Sequence, residues 1–228
     1  MDDQAVDPVA LRRALHHLAL SNRITGATRL VRRQFEGWLK SCKASEPIRI
    51  LDIGTGSADL PIALHDWAHQ RGYSLHITAV DLHPRTLAIA RERVGNRAGI
   101  ELIEMNALEL MNRFSSGSFH SVHAGLFLHH LQEIEVLTVL RIMDRLATRG
   151  IVWNDLRRSW AMKVLFRSMA WTGPAVFRHD AVASIDAAFT KREALDLADR
   201  AGWTKPRFRG WLGHRFLITS EKNDPGPR

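Results

Sequence analysis

At 228 residues with 45% hydrophobic content, the chain can bury one substantial core and leaves little for a second domain. Its single cysteine, Cys42, excludes an internal disulfide and any cysteine-rich zinc or iron–sulfur site; no apolar run nears the ~18–20 residues of a membrane span, and the first residues carry no secretory pattern, so a soluble, cytoplasmic protein is expected. The net charge of +8 is dispersed over short clusters such as Arg12-Arg13 and Arg157-Arg158 without interleaved aromatics, which reads as solvated surface and disfavours nucleic acid as a partner.

The chain opens on helix signals. Asp7 before Pro8 predicts an N-cap and a first helical residue, and Val9, Leu11, Leu15, Leu18 and Ala19 give that helix an apolar face. Ser21-Asn22 reads as a break. A second helix over about 23–40 is then predicted, with Ile24, Ala27, Leu30, Val31, Phe35, Trp38 and Leu39 as its buried side. Residues 1–45 are thus expected to form a helical extension, a lid, on which His16, His17, Asn22 and Arg23 either face the site or, the preferred reading, lie on the surface.

Ile48, Ile50, Leu51 and Ile53 have the length and β-branched content of a buried parallel strand. Gly54 and Gly56 permit a tight turn against which a ligand can lie, and Leu60, Ala63, Leu64, Trp67 and Ala68 then recur at helical spacing. Strand, glycine turn and helix start make a nucleotide-type site at a strand's carboxyl end. A dinucleotide fingerprint would put a third glycine at position 59, so that the helix N-terminus meets a pyrophosphate. Asp59 stands there instead. A carboxylate repels phosphate but tolerates a ligand carrying an ammonium and a sulfonium. No Gly-Lys-Ser/Thr follows, which removes a P-loop.

The line Leu51-Asp-Ile-Gly-Thr-Gly-Ser-Ala-Asp59 closely resembles the first motif of class I S-adenosylmethionine-dependent methyltransferases. The resemblance implies S-adenosylmethionine as cofactor, S-adenosylhomocysteine as product, and cofactor contacts from Asp52, Gly54, Thr55, Gly56 and Asp59. Later segments agree. Ser74–Leu82 reads as a second strand ending in Asp81, where an acid can accept both ribose hydroxyls, with Leu82 placed to lie on the adenine face. Ile100–Ala107 reads as a third strand, and the resemblance places Asn106 and Ala107 at the adenine edge. Phe119–Leu131 carries the fourth strand into a Leu-His-His-Leu segment that resembles small-molecule and quinone-type methyltransferases, with Ala124 and Gly125 on its cofactor side. His120 stands where that family usually has aspartate. The chain contains no Asn/Asp-Pro-Pro-Tyr/Phe motif, which counts against methylation of base nitrogens or glutamine amides.

A helix is predicted over 132–147, then a fifth strand from Gly150 that delivers Asn154, Asp155 and Arg157 to the same carboxyl edge. A helical insertion at about 157–188 follows, longer than a plain loop, and is expected either to cover the substrate, with Arg157, Trp160 and Phe166 as substrate-binding residues, or to patch the sheet edge. Thr190 and Glu193 spell a capping box for a helix that stops at Gly202, and two short strands, about 205–211 and 215–220, should pair antiparallel. Residues 221–228 read as a disordered tail. The expected fold is α/β: a Rossmann-like class I methyltransferase over 46–220, with a seven-stranded, mostly parallel sheet, an antiparallel C-terminal strand, an N-terminal helical extension and an insertion after strand five.

A sulfonium is already an activated methyl donor, so the protein must align a nucleophile and exclude water. For a phenol of pKa ~10, a histidine near ~6.5 can take the proton. His129, His130 and His179 are the proposed bases, with Asp155 as orienter or alternative base, and no metal site is expected. The expected function is methyl transfer to a small molecule, at the oxygen or ring carbon of a phenolic, polyketide or quinone precursor. RNA methylation, and a cofactor-binding protein that transfers nothing, stay open at this stage, as does the oligomeric state.

Overall fold

The computed structural model describes residues 7–39, 47–158 and 187–222. Among them β1 (Ile48–Ile53), β2 (Leu75–Asp81), β3 (Ile100–Glu104), β4 (Phe119–Gly125) and β5 (Ala147–Leu156) run parallel, and β6 (Arg207–Trp211) and β7 (Arg215–Glu221) are antiparallel. They form one seven-stranded sheet in the order β3-β2-β1-β4-β5-β7-β6. The apolar run of β1 suits its place, since it pairs with β2 on one side and β4 on the other. Ile50, Leu51 and Ile53 are fully buried. Strand order reverses between β1 and β4, and open α/β sheets bind ligands in the crevice outside such a reversal.

Helices cover both faces. On one, Leu51, Ile53, Val122, Ile151 and Trp153 pack against Val136, Leu140 and Met143 of α5 (Glu133–Leu146) and Ala194 and Leu197 of α6 (Lys191–Arg200). Trp153 is fully buried there, edge-on to Phe189 and Phe216 with ring centroids at 5.0 and 5.1 Å. On the other face, Phe35 of α2 (Ala27–Leu39) and Leu64 and Trp67 of α3 (Asp59–His69) bury Ile50, Ile77 and Val152. In α1 (Pro8–Ile24), Leu11 and Leu15 close on Ile89 of α4 (Pro84–Val94). No helix among the described residues is long and apolar enough to cross a membrane.

Three boundaries differ from the sequence reading. α1 runs through Ser21-Asn22 because the Ser21 carbonyl accepts both the backbone N–H and the hydroxyl of Thr25, moving the turn to Thr25-Gly26. Ile24 is therefore 75% exposed instead of buried, and Val9 is exposed as well. β3 stops at Glu104, since Asn106 caps a 3-10 turn (Ala107–Asn112) by accepting the Leu108 N–H at 3.0 Å. β5 begins at Ala147 and not Gly150, its early residues pairing with Phe119 across a bulge. The capping box holds as drawn: Thr190 Oγ1 accepts the Glu193 N–H at 3.2 Å, and Glu193 accepts the Thr190 N–H at 2.8 Å. Thr190→Ala should lower stability by about 1 kcal/mol, read as a drop in urea midpoint at unchanged slope.

Candidate active site

A cavity of about 380 Å³ opens at the carboxyl ends of β1, β2, β4 and β5, roofed by α1 and α2. Its size lies in the range of small-molecule sites. One end is built by the glycine turn. Gly54 has φ +67° and lies against the Phe127 ring, where a Cβ would come within 2.6 Å of Phe127 Cδ1; Gly56 has φ +56° with open space where its Cβ would be. Ala58 (φ 60°) and Leu126 (φ 58°) hold the left-handed conformation with a side chain present, so backbone strain gathers at this edge.

Asp81 reaches from β2 to the turn: Oδ2 accepts the Gly56 N–H at 2.9 Å and Oδ1 the His83 N–H at 3.0 Å. Burial raises the Asp81 pKa above its ordinary value, and the two backbone donors only partly oppose this. Leu82, Asn106 and Ala107 line the same end, with Leu82 54% exposed. Asp59 also lines it, paired with Arg93 at 2.5 Å at the start of α3, a favourable place for a carboxylate.

The other end is built by β1, β4 and β5 beneath the N-terminal helices. Leu15, Leu18 and Val31 supply apolar wall and Asn22 a polar group. The floor is a hydrogen-bonded row across three adjacent strands. Asp52 Oδ1 lies 2.5 Å from His123 Nδ1, His123 Nε2 lies 2.5 Å from Asn154 Oδ1, and the Thr55 hydroxyl donates to Asp52 Oδ2 at 2.6 Å. Asp52 and His123 are 3% and 5% exposed, and both line the cavity with Asn154. The chemistry of this row is acid–base: a carboxylate, an imidazole and an amide in line.

The sequence-predicted residues fall into three groups. Asp52, Gly54, Thr55, Gly56, Asp59, Asp81, Leu82, Asn106, Ala107 and Gly125 line the cavity, as does His130, which is exposed at its edge. Ala124, His129, Asp155 and Arg157 do not. Ala124 alternates with Gly125 and so points into the α5 core. His129 and Asp155 are buried against each other, Nδ1 to Oδ1 at 2.6 Å, on the α5 side of the sheet with Trp153. Arg157 N–H donates to the His214 carbonyl, and its guanidinium lies toward Gly210 of β6. His179, Trp160 and Phe166 lie outside the described residues, as do most of the insertion and residues 223–228.

Two residues, His123 and Arg215, were missed in the sequence. His123 sits in register with Asp52 on the neighbouring parallel strand, a pairing that a histidine inside an apolar strand beside a strand-end acid could have suggested. His120, marked by its departure from the family pattern, lies away from the site at the start of β4 and accepts the Arg49 N–H at 2.9 Å. Arg215 is 6% exposed and ties β7 to α1 by donating to Asn22 Oδ1 at 2.7 Å.

Residues 50–150 match the family model for a methyltransferase domain. The chain is 27% identical over 194 residues to a demethylmenaquinone methyltransferase of Chlorobaculum tepidum, covering 80% of this chain and 73% of the relative. A shorter match, 35% over 100 residues, is found with the demethylmenaquinone methyltransferase of Bacillus licheniformis, 44% of this chain and 40% of that one. Among solved structures, a SAM-dependent methyltransferase from Aquifex aeolicus superposes with a TM-score of 0.67 at 16% identity, over 96% of this chain and all of that one.

Proposed function

We infer that this chain, which belongs to the class I S-adenosylmethionine-dependent methyltransferases, methylates a small phenolic, polyketide or quinone precursor at an oxygen or a ring carbon. The observation that carries the reading is one cavity with two unlike ends: a glycine turn with a strand-end acid, and an apolar chamber with a polar floor. The residues fit the cofactor. Asp81 would hold the ribose hydroxyls, Leu82 the adenine face and Asn106 its edge, while Gly54 and Gly56 let backbone approach the amino-acid end. When bound, S-adenosylmethionine supplies an activated methyl group with a neutral thioether as leaving group. Leu15, Leu18 and Val31 exclude water from the acceptor, and Asn22 and Asn154 orient its oxygens. The quinone specificity of the relatives in Chlorobaculum and Bacillus supports the acceptor class.

Calorimetric titration with S-adenosylhomocysteine tests the cofactor half. Asp81→Ala should weaken binding by ~1.5–3 kcal/mol, the worth of hydrogen bonds to a charged group. Because burial raises the Asp81 pKa, its protonated form sets in at higher pH than for an ordinary aspartate. Affinity should therefore decline as the pH falls toward the carboxylate range, before the ~3.9 of a free side chain is reached, and the Asp81→Ala protein should not show this decline. The same raised value makes the ionised group a cost to folding at neutral pH that acid relieves, so a loss of binding with retained stability separates the two effects. Transfer of labelled methyl to reduced menadione (2-methyl-1,4-naphthoquinol) or 5-pentylresorcinol tests the acceptor half. Binding of cofactor with label appearing only in added RNA would overturn it.

A further inference from the structure

An oxygen nucleophile that arrives as a hydroxyl must lose its proton, and few groups on the cavity wall can receive it. At the nucleotide end, both Asp81 oxygens hold backbone N–H groups and Asp59 is paired with Arg93. Of the other lining histidines, His83 stands beside Asp81 at the nucleotide end and His130 is exposed at the cavity edge; at the acceptor end, the buried Asp52 and His123 are the acid–base pair. We propose that His123, held by Asp52, is the proton acceptor for a hydroxyl-bearing substrate. The inference rests on the small-molecule reading above.

The geometry assigns each atom a part. Asp52 fixes the ring by receiving Nδ1–H at 2.5 Å, and Thr55 keeps the carboxylate in place from its other oxygen; Nε2 then carries a lone pair, which Asn154 meets with its amide N–H after a half-turn that exchanges the amide oxygen and nitrogen. Asn154 Oδ1, 2.5 Å from Nε2, marks an oxygen-sized position in line with that nitrogen. The acceptor's hydroxyl takes this position, and Asn154, swung aside about its own side-chain torsions, donates its amide N–H to the same oxygen. Gly125 keeps the opening clear: a Cβ there would lie 2.7 Å from both Asn154 Oδ1 and His123 Cε1. Among the described residues, the groups facing the ring are Asp52 from β1, Asn154 from β5 and the uncharged Phe35 from α2, whose ring centroid is 6.5 Å away, and Asp52 is the one charge of these in direct contact with it.

The step balances. The acceptor O–H bond breaks and its electron pair stays on oxygen; the proton forms the Nε2–H bond of an imidazolium paired with Asp52. The freed oxygen pair, or the ring carbon it activates, bonds the methyl carbon, and sulfur keeps the pair of the broken S–C bond as a neutral thioether. The proton then leaves to water with the product.

The test has two arms. In the first, ¹⁵N-labelled wild type with bound S-adenosylhomocysteine is observed by long-range ¹H–¹⁵N correlation, which reports the proton on each ring nitrogen. The proposal expects the ring proton on Nδ1 and none on Nε2. A ring carrying its proton on Nε2 with Nδ1 bare overturns it. In the second, His123→Gln is assayed with reduced menadione and 5-pentylresorcinol. S-adenosylhomocysteine affinity should stay within about threefold while kcat falls ~10²–10⁴-fold, as for loss of a general base. The deficit should narrow as pH nears ~10, where a phenol ionises unaided, and a purely packing role would leave it constant. A kcat within fivefold of wild type overturns the proposal. If wild type methylates neither probe, the acceptor reading fails, and the first arm still decides on His123.

Discussion

Gly54→Ala should weaken S-adenosylhomocysteine binding by roughly 30- to 150-fold in calorimetry, with cooperative melting retained. Two penalties meet at this position. Its φ of +67° costs a residue with a Cβ about 1–2 kcal/mol. The new Cβ would also stand 2.6 and 2.9 Å from Cδ1 and Cγ of Phe127, atoms near the root of that ring, so the turn or the ring must move, and both line the cavity. A total of about 2–3 kcal/mol gives the stated factor at 1.4 kcal/mol per decade. Gly56→Ala is the matched control. It carries the same kind of backbone penalty at φ +56° but meets nothing within 4 Å, and Ala58 shows that this loop accepts a Cβ in the left-handed region. Its loss should stay near or below tenfold. Equal losses at the two glycines would mean that close approach of Phe127 has no part in binding.

The turn was legible because its physics is local. A glycine at positive φ, an acid at a strand end and a capping box are each decided within a few residues, so Gly54, Asp81 and Thr190 could be placed before any tertiary contact was known. The sheet followed from the same kind of signal, as alternating apolar strands and helical spacing leave few ways to assemble a parallel core. What stayed hidden depends on register between strands far apart in sequence. His123 reads alone as one of twelve histidines, and only the alignment of β1 with β4 sets it beside Asp52, 71 residues away. Conversely, Leu-His-His-Leu reads as two equal histidines, yet a single 3-10 turn buries His129 and leaves His130 exposed. Which face a side chain takes at the end of a strand is settled by the turn that follows, and that turn carries little sequence pattern. Ser21-Asn22 failed for a related reason: both residues favour turns, but the Thr25 hydroxyl caps the helix a turn later.

Asp155→Ala is expected to cost about 3–5 kcal/mol of folding stability, a large share of the ~5–15 kcal/mol typical of a domain. Asp155 is fully buried and receives three donors: His129 Nδ1 at 2.6 Å, the Leu156 N–H at 2.8 Å and Trp153 Nε1 at 3.3 Å. It also opposes the burial that pushes the Arg215 guanidinium down from its usual value. Removing the carboxylate leaves these donors without their acceptor in a dry core, and an unmade buried hydrogen bond is more expensive than a made one is stabilising. The reading is the change in urea midpoint at constant slope. His129→Ala should cost less, because Asp155 keeps its other partners, and a double-mutant cycle should return a coupling of about 0.5–3 kcal/mol for this contacting pair. Since neither residue lines the cavity, S-adenosylhomocysteine affinity of whatever fraction remains folded should match wild type within about threefold. The opposite pattern, full stability with methyl transfer abolished, would return His129 and Asp155 to the chemistry and make the core around Trp153 indifferent to its one buried acid.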